Sequence, residues 1–166
     1  MNETFQSFYE NLCEPKFFDL TKMLEILRPA GDFSDDLLTA MEARLEKKDW
    51  PCLCRLIWIA CWFPSNKLTP LLCEVLENHR HDVLMEAVAD ALFDLQDERS
   101  ITCLTTALEH RVSGDDDLHF NRKLVIALEN IGTPAALIGL RKAAESPHEL
   151  IRKEALAALR RLDTKS

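Results

Sequence analysis

The side chains best suited to chemistry lie between residues 52 and 94. Cys52-x-Cys54, with Cys61, Cys73 and His79-x-His81 downstream, is a supply of metal ligands. A zinc site needs about four ligands converging tetrahedrally, usually delivered by tight Cys-x2-Cys turns. Cys54 and Cys61 stand seven apart, the spacing of two neighbours on one helix face rather than of a turn. The six cysteines, at 13, 52, 54, 61, 73 and 103, therefore read as buried reduced thiols, with no metal and no cofactor. His79, His81, His110 and His148 fall near helix ends, where solvent or the helix dipole is reason enough for them. The sequence has no Gly-x-Ser-x-Gly elbow, no glycine-rich phosphate loop and no His-Glu-x-x-His, so the expectation is a protein that is not an enzyme. What remains is binding chemistry. Glu86, Asp90 and Asp94 recur at i, i+4 and i+8, beside Trp58, Ile59, Trp62 and Phe93. Large aromatics bordered by charge are the usual make-up of a protein-binding hot spot.

Charge narrows the partner. The net charge of −8 is unevenly spread. Residues 1–117 carry 11 Lys/Arg against 23 Asp/Glu, a net of −12, while residues 118–166 carry 9 against 5, a net of +4. An acidic body argues against nucleic acid, where neutralising phosphates supplies most of the affinity. It favours another protein with a basic surface. The longest apolar run, Leu56 to Phe63, has eight residues, far short of a membrane span. The opening MNETFQSFYE has no charged region followed by an apolar stretch, so the expected location is cytoplasmic.

Apolar spacing throughout is helical. Phe5, Phe8, Tyr9 and Leu12 form the first stripe, and Leu20, Met23, Leu24 and Leu27 a second that stops at Pro29. Ser34 with Asp35 and Asp36 is the expected start of a third helix. Asp49-Trp50-Pro51 opens the most apolar one, which runs to Phe63. Further helices are expected over 66–79, 82–95, from Asp97 through Leu108, and over 118–131, 134–145 and 147–162. The last starts at Ser146-Pro147-His148-Glu149, which reads as a capping box. The polar break Arg111 to Asp117 is the longest gap. With 166 residues, four glycines and seven prolines, the chain suits a single all-α domain over 1–166.

The helices repeat. Ala-Leu-x-x-(Ile/Leu) occurs at Ala91-Leu92, Ala127-Leu128 and Ala158-Leu159. Aligned core positions Leu27, Cys61, Leu92, Leu128 and Leu159 are spaced by 34, 31, 36 and 31 residues. One position on stand Trp62, Phe93, Glu129 and Arg160; two positions before the core stand Glu25, Ile59, Asp90, Ile126 and Ala157. Positions charged in some repeats are normally exposed, so Ile59, Trp62 and Phe93 are expected to form an exposed apolar patch beside the acidic stripe. The alternative is that Trp58 and Trp62 are core of a central helix covered by the N-terminal segment.

Ile131-Gly132-Thr133-Pro134-Ala135-Ala136-Leu137, followed by Leu150-Ile151-Arg152-Lys153-Glu154-Ala155-Leu156-Ala157-Ala158-Leu159, resembles the short HEAT-like repeats also found in phycobilin lyases. Val83 to Leu108 resembles them more loosely, with Met85 at the arginine position and Leu95-Gln96-Asp97 in place of the glycine turn. The resemblance implies an α-solenoid of about five helical pairs, about ten helices, wound as a right-handed superhelix with one set of helices lining a concave face. Such solenoids include scaffolds, chromophore lyases, DNA glycosylases and proteins that neutralise bacterial toxins, so fold alone assigns no activity. A glycosylase would want a basic face around a set such as Trp58, Trp62 and Asp90, which the acidic body contradicts. The reading reached is a protein-binding module, such as an inhibitor or immunity protein against a basic nuclease toxin. A HEAT-like enzyme is the rival.

Overall fold

The computed structural model describes residues 3–12, 20–28, 31–78, 82–110 and 118–164. Among them are ten α-helices and no strand: α1 (Glu3–Leu12), α2 (Leu20–Leu27), α3 (Ser34–Glu46), α4 (Trp50–Trp62), α5 (Thr69–Asn78), α6 (Asp82–Leu95), α7 (Ile101–His110), α8 (Leu118–Ile131), α9 (Pro134–Ala143) and α10 (Glu149–Asp163). Short 3₁₀ turns, Asn66–Leu68 and Glu98–Ser100, lead into α5 and α7. The polar break 111–117 lies outside the described residues.

Three helix starts share one device, a left-handed residue followed by a side-chain cap. Gly132 (φ +63°) precedes Thr133, whose Oγ1 accepts from the Ala136 amide at 3.4 Å, and Pro134 takes the first helical position. Gln96 (φ +50°) precedes Asp97, which accepts from the Arg99 amide at 3.0 Å. Lys48 (φ +54°) precedes Asp49, which accepts from the Cys52 amide at 3.3 Å. Leu95-Gln96-Asp97 thus makes, without glycine, the turn that Ile131-Gly132-Thr133 makes with it. The left-handed region crowds a Cβ, so Gln96→Gly is expected to stabilise the protein by about 0.5–1 kcal/mol in urea melts.

Two expected caps are corrected. Ser34 is the first residue of α3, not its cap; the cap position is Phe33, with no side-chain cap bond, and Asp32 Oδ1 accepts from the Ser34 amide at 2.9 Å in a turn before the helix. α10 begins at Glu149 rather than at 147, because Ser146 Oγ accepts from the His148 amide at 3.2 Å and holds that segment in a turn.

The helices form two compact units, residues 1–68 and 69–166, where the sequence reading treats 1–166 as one domain. In the first unit α1 packs on α2 and α3 on α4. Phe5, Phe8, Leu12, Leu27, Phe33, Leu37, Met41, Leu53, Leu56 and Ile57 are buried. Phe33 stacks on Phe5 and tilts against Phe63, at centroid distances of 5.1 and 4.9 Å. Arg44 ties the polar rim, donating to Tyr9 OH at 2.6 Å and to Asp49 at 3.1 Å.

In the second unit the helices contact their next-but-one neighbours in two series. α6 packs on α8 and α8 on α10, while α5 packs on α7 and α7 on α9; sequential contacts α5–α6, α7–α8, α8–α9 and α9–α10 join the series. Leu84, Val88, Leu92, Leu104, Leu124, Leu128 and Leu140 lie between them, fully buried or nearly so. Burying each such side chain contributes about 1.5–3 kcal/mol. Small residues set the helix spacing. A Cβ on Gly139 would sit 2.7 Å from Thr105 Oγ1 and 3.6 Å from Leu128 Cδ1, so α9 lies close against both α7 and α8.

Candidate functional site

The acidic stripe lies on α6, and α8 answers it. Lys123 Nζ is 2.7 Å from Asp90 Oδ2 and 3.3 Å from Glu86 Oε2. Burial works to lower the Lys123 pKa, but the hydrogen bonds and charges of Asp90 and Glu86 together raise it above that of an ordinary lysine. Two of the three clustered carboxylates therefore clamp α8 to α6. Asp94 is the carboxylate left over. It is exposed and makes no ion pair among the described residues. Partial burial, then the neighbouring Asp90 charge, raise its pKa. Phe93 beside it is 36% exposed, and its carbonyl accepts from Asn130 Nδ2 at 3.0 Å. Phe93 and Asp94 thus form an aromatic and anionic end to α6.

Trp58 and Trp62, one turn apart on α4, are 37% and 52% exposed. They are surface residues of the first unit, which decides between the two readings of that pair. Ile59 is fully buried and is corrected: it takes no part in an exposed patch. With Leu56 and Ala60, both also at 0% exposure, it belongs to the inner face, about 100° around the helix from Trp58. The candidate residues divide between the units, with Trp58, Ile59 and Trp62 in the first and Glu86, Asp90, Phe93 and Asp94 in the second.

One staple joins α5 to α7 and another joins α5 to the turn leading into α7, and the sequence reading missed both. Cys73 and Cys103 form a disulfide with Cα atoms 5.6 Å apart, and Cys52 is also disulfide-bonded. The reduced-thiol expectation fails at these positions, while Cys54 and Cys61 belong to no disulfide and are half-buried. Burial raises the Cys54 pKa. Structural disulfides are rare in a reducing cytosol, so the Cys73–Cys103 bond and the expected cytoplasmic location pull in opposite directions. Cys73 is thereby committed to carbon–sulfur–sulfur bonding rather than metal ligation, and His79 and His81 lie outside the described residues. Among the described residues no three His, Cys, Asp or Glu side chains gather as metal ligands, and no helix is long and apolar enough to cross a membrane.

The second staple is Asp97. Its carboxylate is 7% exposed and accepts from Thr69 Oγ1 at 2.8 Å and from Arg99 Nε at 2.9 Å. The Arg99 guanidinium chiefly, with the Arg99 amide and Thr69 adding to it against the opposing effect of burial, pulls Asp97 from the ordinary 3.8 down to about 2. A depressed carboxylate stabilises the fold above its unfolded pKa and loses that contribution as pH falls through the folded value. The contribution at neutral pH is on the order of 1–2 kcal/mol, since Arg99 is exposed and screened. Asp97→Asn should lose this amount at pH 7 and nothing near pH 1.5, measured as the gap between wild-type and variant urea midpoints across that range.

Comparison with protein-family models, curated proteins and solved structures finds no match for this chain.

Proposed function

We propose that the chain is a HEAT-like α-solenoid of helical pairs that binds a basic protein through the aromatic and acidic end of α6. The serial packing of α6, α8 and α10 beside α5, α7 and α9 supports the solenoid, because helix pairs that bury each other's faces in sequence are how such arrays are built. One observation carries the binding reading. Phe93 stays exposed next to Asp94, a carboxylate that no cation of the described structure neutralises. An exposed ring beside an unmatched charge gains most when a partner covers both. A basic nuclease toxin, with this chain as its inhibitor or immunity protein, is the partner that charge and size suggest. Trp58 and Trp62 offer a second aromatic surface on the first unit.

The test needs a partner captured from the native host and purified. Asp94→Lys should slow association about 5–10-fold at low salt, with the difference shrinking as salt is raised. Phe93→Ala or Trp62→Ala should speed dissociation by a factor equivalent to about 2 kcal/mol, with little salt dependence. Folded variants that all bind as the wild type does would remove these surfaces from the account.

A further inference from the structure

Each step of the α6–α8–α10 series is closed by the same two contacts in the same register. Aligning Leu92, Leu128 and Leu159 places Glu86, Arg122 and Lys153 six residues before the core leucine, and Phe93, Glu129 and Arg160 one residue after it. The following helix answers the first position from five residues before its own leucine: Lys123 meets Glu86, and Glu154 meets Arg122 at 3.7 Å. It answers the second from two residues after: Asn130 meets the Phe93 carbonyl, and Arg161 grips Glu129 through two bonds of 2.8 and 2.7 Å.

At α10 the same two positions, Lys153 and Arg160, are both cationic. Lys153 has a solvent-exposed pair with Glu149 on its own helix at 2.5 Å, a contact that water and salt screen. Arg160 is exposed and makes no ion pair among the described residues. The apolar positions behave in parallel. Three residues before the core leucine, Ala89 and Val125 are fully buried in α6 and α8, each of which has a following neighbour. Leu156, their equivalent in α10, is 40% exposed, and Leu159 is half-buried where Leu92 and Leu128 are completely so. α10 thus presents outward the same apolar and charged pattern that α6 and α8 turn towards the helix packed after them.

We propose that the outer face of α10 docks an amphipathic helix of another protein, one carrying two carboxylates seven residues apart beside an apolar stripe. The register identifies the occupant: helices in this position supply groups at minus five and plus two, and Lys153 and Arg160 require both to be acidic. The face is separate from the α6 end and does not depend on the reading of that surface.

The probe is a fluorescein-labelled peptide of the α10 sequence, residues 149–163, with Arg161→Glu, so that carboxylates stand at 154 and 161. A lactam bridge on its outward side holds it helical, since a free peptide of this length is marginal. Anisotropy with the full chain at low salt should saturate with Kd of tens to hundreds of micromolar. The unsubstituted α10 peptide, which brings Arg161 towards Arg160, should bind about fivefold more weakly or worse. Arg160→Glu in the protein should invert that preference. Leu156→Lys should abolish binding of both peptides without lowering the melting temperature, because the site is on the surface. No saturable binding up to about 1 mM, or equal binding of the two peptides, overturns the proposal. So does light scattering that finds a wild-type dimer made monomeric by Leu156→Lys, which would give the face to a second copy of this chain.

Discussion

Removing the Cys73–Cys103 bond is expected to lower stability by about 3–4 kcal/mol, because the cross-link closes a loop of about thirty residues in the unfolded chain. The bond also fixes two helices that otherwise rely on side-chain burial and on the Thr69–Asp97 contact. The double variant Cys73→Ala, Cys103→Ala isolates the effect, since a reductant would act on Cys52 as well. Cys103 is nearly fully buried, so alanine there also leaves a small void, which adds to the loss. Equal urea midpoints for the double variant and the oxidised wild type would mean that the bond does not form in solution. Both thiols would then react with an alkylating agent in the unfolded protein without prior reduction.

Leu128→Ala is expected to cost about 2–5 kcal/mol, as truncation of a fully buried leucine does. The residue sits where α8 meets α9, against the close approach at Gly139, and rigid surroundings collapse poorly into a void. Leu159, its repeat equivalent, is only half-buried, so Leu159→Ala should cost roughly half as much. The repeat alignment places Glu129 at a position that is normally exposed. Instead Glu129 has a side chain 13% exposed and gripped by Arg161, and Glu129→Ala should cost about 1 kcal/mol or more. Chemical denaturation of the three variants checks the order Leu128, Leu159, Glu129. A Leu159 loss equal to that of Leu128 would mean that something covers α10 in solution.

Periodicity along one helix reveals which face is apolar, and that is why the helices and most of the core were legible. Phe5, Phe8, Leu12, Leu27, Leu92 and Leu128 are all buried as their spacing implies. The Gly132-Thr133-Pro134 turn was equally plain, since each residue type has one physical use there. Gln96 was harder, because a glutamine side chain does not announce a positive φ. Ile59 was misplaced because the repeat alignment assigns it the orientation of Asp90, whereas α4 turns that position inward. Lys123 was missed because its partners lie on a different helix, where i, i+4 arithmetic does not reach. Cys73 and Cys103 did carry a signal. Their separation of 30 is close to the repeat period, which places them one repeat apart on α5 and α7; the Ala-Leu pattern marks only the first helix of each pair and is silent on these two.

The most direct test of the α6 surface is carboxyl footprinting of the chain with and without its captured partner, read by mass spectrometry of amidated Asp and Glu residues. Asp94 is exposed and unpaired by any described cation, so it labels readily in the free protein. The account predicts that the partner suppresses labelling at Asp94 while leaving Glu145, exposed on the turn after α9, as reactive as before. Asp94 labelled equally in the free and bound protein would contradict it.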